Sequence, residues 1–307
     1  MRKYSIQEFF MNILTDGTYN KTIENAVTAH TGTAFSITGI RENKVGAMHD
    51  AAVFESDKFS VFVKAGTRPF SHEQFATEAW ELDYIRSHSP VKTPEVIAVV
   101  QERNTTLLIL EAIHIVNPET DQDWERMGQG LAALHHVHHH QCGLERPTYL
   151  GIFKQDNTWK DCWTEFYGEC RLRDTMKMAV DAGNMTSSDC AEIERLIVRL
   201  PELCPPQTSF SLLHGDPWLG NLLYDGKELI AIDCSIYYGN REIDLTTVDF
   251  FCPVPSMFFD AYREAYPVEP GYEERRDLWK IKQWLGHVKL FGEKYKGKLM
   301  EAVKKYL

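Results

Sequence analysis

The segment LLHGDPWLGNLLYDGKELIAIDC, residues 212–234, sets a carboxylate at Asp216, a carboxamide at Asn221 and a second carboxylate at Asp233 in a stretch otherwise rich in Leu and Ile. Such groups are costly to bury unpartnered, so their place in an apolar run asks for a purpose. An amide oxygen and a carboxylate suit a hard cation such as Mg²⁺, which commonly takes one or two protein carboxylates and completes its shell with phosphate oxygens and water. Asn221 and Asp233 are the candidate metal ligands. Asp216, in the loop before them, is then free to act as a base; the bland alternative is an acid and an amide that cap a turn.

The elements around these residues must bring them together. NLLYDGKELIAID reads as an apolar hairpin about Asp225-Gly226, a dipeptide that favours a two-residue type I′ connection. Pairing Tyr224 with Lys227 carries Asn221 to the same end as the residues leading into Asp233. Upstream, residues 1 to about 44 suggest one or two short helices and a strand, FSITGI. AAVFESDKFSVFVKAG reads as two strands, with Lys64 near the end of the second. PFSHEQFATEAWELDYIRSHS opens with a possible capping box, Ser71 with Gln74, and continues as a helix carrying Glu78. PEVIAVV and TTLLILEAI, separated by Glu102-Arg103-Asn104, add two more strands. From Asp123 the periodicity is helical, with helices expected at 159–182, 187–199 and 272–306. The spacing predicts an α+β chain with a small lobe over 1–111 and a larger, mostly helical lobe over 112–307.

Composition narrows the partners. A chain of 307 residues, 43% hydrophobic and 25% charged, can bury a large core, and a net charge of -11 argues against a broad grip on nucleic acid or an anionic membrane. The seven cysteines form no C-x-x-C pair, which fits a reducing cytoplasm, and no run approaches the length of a membrane span. In HHVHHHQC, His135 with His139 and His136 with His140 have metal-ligand spacing; without a nearby patterned acid, the favoured reading is a helix end closed by Gly143. The basic C-terminal segment reads as a helix burying Trp279, Trp284 and Leu285, and Cys234 as a small buried hydrophobe. Nothing here fixes an oligomeric state.

HGD-x-x-x-x-N resembles the catalytic loop of protein kinases, where an Asp receives the acceptor proton and an Asn holds metal. His-Gly-Asp is similar to the aminoglycoside phosphotransferase branch of that superfamily. Lys64 followed by Glu78 matches the strand lysine and helix acid that such a fold uses on nucleotide phosphates. The phosphate-covering loop is represented by Gly46 alone, and Glu111 to Ile113 stand where adenine would meet backbone groups at the hinge.

FVK (62–64), FATEAWEL (75–82), LGIFKQDNTW (150–159), WTEFYGECRLR (163–173), LLHGDPWLGN (212–221) and IDCSIYYGNREIDL (232–245) narrow the resemblance to the fructosamine/ketosamine kinase family. It implies a two-lobed protein-kinase-like fold with ATP and Mg²⁺ in the cleft, and phosphorylation of a small sugar-amine adduct at the 3-hydroxyl. It also implies Asp216 as base, Asn221 and Asp233 as metal ligands, Lys64 as the phosphate-binding residue and Glu78 as its partner. Trp218, Glu242 and Asp244 are candidates for shaping the acceptor pocket, the last two equally for bracing the loop. Pro217, Leu219 and Cys234-Ser235-Ile236 depart from the family pattern and bear on the acceptor. The rivals are a kinase of an aminoglycoside, amino alcohol or free sugar, and a nucleotide-binding pseudo-enzyme.

Overall fold

The computed structural model describes residues 12–43 and 49–307, so Gly46 lies outside the described residues. Two compact units emerge, one from the described part of Met1–Ala79 with Pro94–Ile113, the other from Trp80–Thr93 with His114–Leu307.

The first unit contains α1 (Asn20–Thr31), β1 (Gly39–Glu42), β2 (Asp50–Glu55), β3 (Ser60–Gly66), the first half of α2 (Ser71–His88), β4 (Val96–Glu102) and β5 (Thr105–Glu111). Its five strands form an antiparallel sheet in the order β1-β2-β3-β5-β4. Alternation decides the faces: Val61 and Val63 are buried with Phe54, Leu107 and Ile109, and Ile23 and Val27 of α1 join the same core. Lys64 stands opposite Leu108 of β5 and Ala51 of β2, in the middle of the sheet. The strand expected at FSITGI starts only at Gly39, because Phe35 is drawn into the core ahead of it. At the start of α2 the Ser71 hydroxyl accepts from Arg68 N–H and Gln74 N–H donates to the Phe70 carbonyl, in place of the expected capping box.

In the second unit, α3 (Asp121–His135) starts at a reciprocal cap between Thr120 and Asp123 and is followed by β6 (His138–His139), β7 (Thr148–Leu150) and β8 (Phe153–Gln155). Next come α4 (Trp163–Phe166), a π-helical stretch (Tyr167–Arg173), α5 (Asp174–Asp181) and α6 (Ser187–Leu203). The loop region is built from β9 (Phe210–Leu213), β10 (Leu222–Tyr224), β11 (Leu229–Ala231) and β12 (Tyr237–Gly239). Then follow α7 (Glu242–Val248), α8 (Ser256–Ala265), α9 (Tyr272–Phe291), a 3₁₀ turn (Gly292–Tyr295) and α10 (Lys296–Lys304). β12, β9 and β6 form one antiparallel sheet, and β10 with β11 a hairpin.

Three local expectations change. The expected C-terminal helix breaks at Gly292, whose φ of 70 and ψ of -154 no L side chain adopts easily. Gly143 does not close the helix of the histidine run: α3 ends at His135, while Gly143 exchanges backbone hydrogen bonds with Tyr238. The hairpin turn is four residues long, because Tyr224 faces Leu229, not Lys227. The Asp225 carboxylate accepts from both Lys227 N–H and Glu228 N–H at 2.9 Å, which closes the wider loop and overrides the two-residue preference of Asp-Gly.

Candidate active site

The wider turn alters the register to the advantage of the site. Leu222 faces Ala231, and the pairing extends outward with Ile232 N–H donating to the Asn221 carbonyl at 3.1 Å, so Asp233 directly follows the residue bonded to Asn221. Asp233 is exposed and has φ of 50, a left-handed conformation that costs a non-glycine residue about 1 kcal/mol. Such outliers cluster where a side chain must be aimed for a task.

Asp216 is half-buried, and the Asn221 amide nitrogen donates at 3.0 Å to both its backbone carbonyl and its carboxylate Oδ2. Removal from water pushes the Asp216 carboxyl up to about 6; Asp244 adds to the rise, and the Lys282 ammonium and the Asn221 amide oppose it. Because the Asn221 nitrogen is engaged with Asp216, its oxygen Oδ1 is the donor that a cation would meet. One amide oxygen and one carboxylate match a cation that draws its remaining ligands from phosphate and water. Among the described residues, no group of three or more His, Cys, Asp or Glu side chains is disposed to hold a metal.

The loop is strapped from beneath. Asp244, fully buried on α7, accepts from His214 N–H at 2.7 Å and Gly215 N–H at 3.2 Å, and from His135 Nε2 at 3.2 Å. Arg241 donates to the Tyr262 hydroxyl at 3.1 Å, and that hydroxyl donates to His135 Nδ1 at 2.7 Å, which leaves the Nε2–H to face Asp244. Burial depresses the pKa of both His135 and His214, favouring neutral rings. Gly215 has φ of +85, and a Cβ there would lie 2.0 Å from the Ser235 carbonyl oxygen, so only glycine fits between His214 and Asp216.

Glu242 is also buried, held by Arg275 through Nε at 3.0 Å and Nη2, and by Trp279 Nε1 at 2.8 Å. Of the two roles open to Glu242 and Asp244, these bonds favour bracing over contact with an acceptor. Trp218 packs edge-on against Phe251, which is 53% exposed, and the aromatic shelf continues through Phe250, Trp284 and His287.

In the first unit, Lys64 Nζ donates to Glu78 Oε1 at 2.6 Å with both side chains largely buried. Glu111 N–H already bonds to the Glu95 carbonyl at 2.9 Å, so a base meeting this segment would find its free backbone groups further along, toward Ile113.

Sequence reasoning missed Lys282 as a neighbour of the loop, and Arg171 as a second cation acting on Lys282. Lys282 is 4% exposed on α9, with Nζ 3.5 Å from the Gly215 carbonyl. Arg171, fully buried in the π-helical stretch, lies over the rings of Phe166 and Tyr237 and bonds to Asp156 O at 2.7 Å and Asn157 Oδ1 at 2.6 Å. WTEFYGECRLR marked Arg171 as part of a motif; nothing in KIKQWL distinguishes Lys282 from Lys280.

A lysine–acid pair on sheet and helix, together with an Asp–Asn loop leading through a hairpin to a second Asp, defines a protein-kinase-like fold. An aminoglycoside phosphotransferase structure shares that fold, with a TM-score of 0.59 at 16% identity over 92% of this chain and 98% of that one. The fructosamine kinase family model matches residues 19–307, and the chain belongs to that family. A probable ketoamine kinase of Synechocystis is 30% identical over 94% of this chain and 96% of its own length. A candidate fructosamine-3-kinase from Thermobifida fusca superposes with a TM-score of 0.81 at 28% identity, covering 93% of this chain and 98% of that one.

Proposed function

We propose that the chain is an ATP-dependent kinase that phosphorylates a sugar hydroxyl, the 3-hydroxyl, of a ketosamine. The observation that carries this reading is the strapped loop, in which Asp216 is held by Asn221 and lifted toward neutrality by burial. A carboxyl poised near neutral pH accepts a hydroxyl proton more readily than an ordinary aspartate. Asp216 orients the acceptor oxygen and takes its proton as the phosphoryl group transfers. Lys64, oriented by Glu78, meets the α- and β-phosphates. Asn221 Oδ1 and Asp233 would hold Mg²⁺, which when bound neutralises charge on the phosphate oxygens. The adenine would bond to backbone groups from Glu111 toward Ile113.

Trp218 and Phe251, next to the base, offer a face for the amine-linked part of the acceptor, which suits a small sugar–amine adduct. Residues 1–111 would then serve the nucleotide and 112–307 the chemistry and the acceptor. Seven free cysteines support a reducing compartment such as the cytoplasm. Among the described residues, no helix is long and apolar enough to cross a membrane, and the net charge of -11 does not favour nucleic acid.

The test is ATP consumption with Mg²⁺ against a panel of ketosamines, free sugars, amino alcohols and aminoglycosides, with the phosphorylated product identified by mass. Turnover on a ketosamine is the expected result. Turnover on another acceptor alone would discard the substrate class and keep the mechanism, and nucleotide binding without turnover on any acceptor would indicate a pseudo-enzyme.

A further inference from the structure

We propose that Lys282 is a positioning residue for phosphoryl transfer: its buried ammonium fixes the His214–Asn221 loop from below and supplies positive charge that balances Asp216 in the loop and Asp244 beneath it. The proposal rests on the kinase reading, and the loop-exchange readout is independent of it.

Lys282 shares the inward face of α9 with Leu278, Trp279, Ile281 and Leu285, all buried. An ammonium placed there loses its hydration and has three donors to satisfy. Among the described residues it makes no ion pair, and its hydrogen bond to the Gly215 carbonyl, at 3.5 Å, is longer than a well-formed one. Burial lowers its pKa most and Arg171 adds to the fall, while Asp216 and Asp244 favour the charged form; Nζ also lies over the Tyr237 ring, 5.8 Å from its centroid. Lys282 thus stands among Asp216 of the loop, Asp244 beneath it and the Arg171 guanidinium.

The members of that set are not equally committed. Asp244 is engaged by two loop N–H groups and His135, and Arg171 by Asp156, Cys170 and Asn157. Asp216 accepts from Asn221 alone among the described side chains, and Lys282 is the cation set to draw on it. Removing this ammonium alone would leave Asp216 and Asp244 less compensated, so its place ties the helix to the charges of the loop. Lys280, two residues earlier, shows the ordinary alternative by pairing with Asp277 near the surface. Nearness to Gly215 and Asp216 accounts for Lys282.

The experiment compares wild type with Lys282→Met in three measurements: steady-state kinetics, thermal unfolding, and amide hydrogen exchange across residues 214–221. Expected for the variant are a kcat lower by about 10- to 100-fold with the KM for ATP within about twofold, a modestly lower melting temperature, and exchange in the loop faster by about tenfold with other segments unaltered. A kcat within twofold of wild type with unaltered loop exchange would overturn the proposal. So would a lowered melting temperature with faster exchange throughout the second unit, the mark of a purely structural residue. Lys282→Gln, which keeps a donor without charge, is read by the same criteria if the Met variant does not fold, and failure of both to fold also overturns it. If wild type turns over no acceptor, the kinase reading fails and the exchange comparison alone decides the role of Lys282.

Discussion

At the scale of single residues, the site depends on one carboxylate and one glycine. Asp216→Asn keeps the shape and the contact with Asn221 but cannot take a proton, so turnover should fall by at least about 100-fold while nucleotide affinity is retained. Steady-state kinetics with equilibrium nucleotide titration check this, and full activity would remove Asp216 from the mechanism. Gly215→Ala must move a Cβ that would lie 2.0 Å from the Ser235 carbonyl, in a backbone with φ of +85. A loss of about 3 kcal/mol or more in urea unfolding is expected, together with loss of turnover. The candidate site residues stand out in the sequence because Asp216, Asn221 and Asp233 interrupt an apolar run whose hydrophobic pattern gives them no packing role. Lys282 was not legible. KIKQWL places two lysines on one helix, and only the tertiary packing of α9 buries one and leaves the other at the surface.

At the scale of elements, β3 and α2 are coupled by Lys64 and Glu78, at 2.6 Å with side-chain exposures of 11% and 13%. Glu78→Gln weakens this short, largely buried contact, so it should loosen the placing of Lys64 and raise the KM for ATP by about tenfold, near 1.4 kcal/mol. The double variant Lys64→Met with Glu78→Gln should be no worse than Lys64→Met alone, because residues that act as a unit are not additive. Additive losses in ATP titrations would show that Glu78 acts elsewhere. Strands and helices with strong periodicity were readable in advance; their junctions were not. The hairpin after Asn221 is the clearest case, since Asp225-Gly226 signals a tight turn while the Asp225 side chain, bonding two N–H groups further on, builds a four-residue loop. That difference slides the register of β11 and sets Asp233 next to the residue paired with Asn221. Gly143 misled in the same way, because its positive φ serves a backbone pairing with Tyr238 and not a helix end.

At the scale of the whole molecule, stability should depend on pH through the groups under the loop. His135 and His214 are buried with pKa values below the ordinary 6.5. The unfolded chain therefore takes up protons below about pH 6.5 that the folded chain refuses, so their contribution to stability is present above that pH and is lost as pH falls. One pH unit below 6.5 costs up to about 1.4 kcal/mol for each ring that stays neutral. Asp216 works the other way: with its pKa raised to about 6, the folded state gains a proton before the unfolded one, which offsets under about 1 kcal/mol by pH 5.5. Two imidazoles outweigh one carboxyl, and the urea midpoint should fall between pH 7 and 5.5. Imidazole C–H resonances of His135 and His214 should hold their neutral positions over that range while exposed rings titrate. A midpoint that stays level, with either buried ring titrating near 6.5, would mean that the strap beneath the loop admits a proton and that Asp244 balances it.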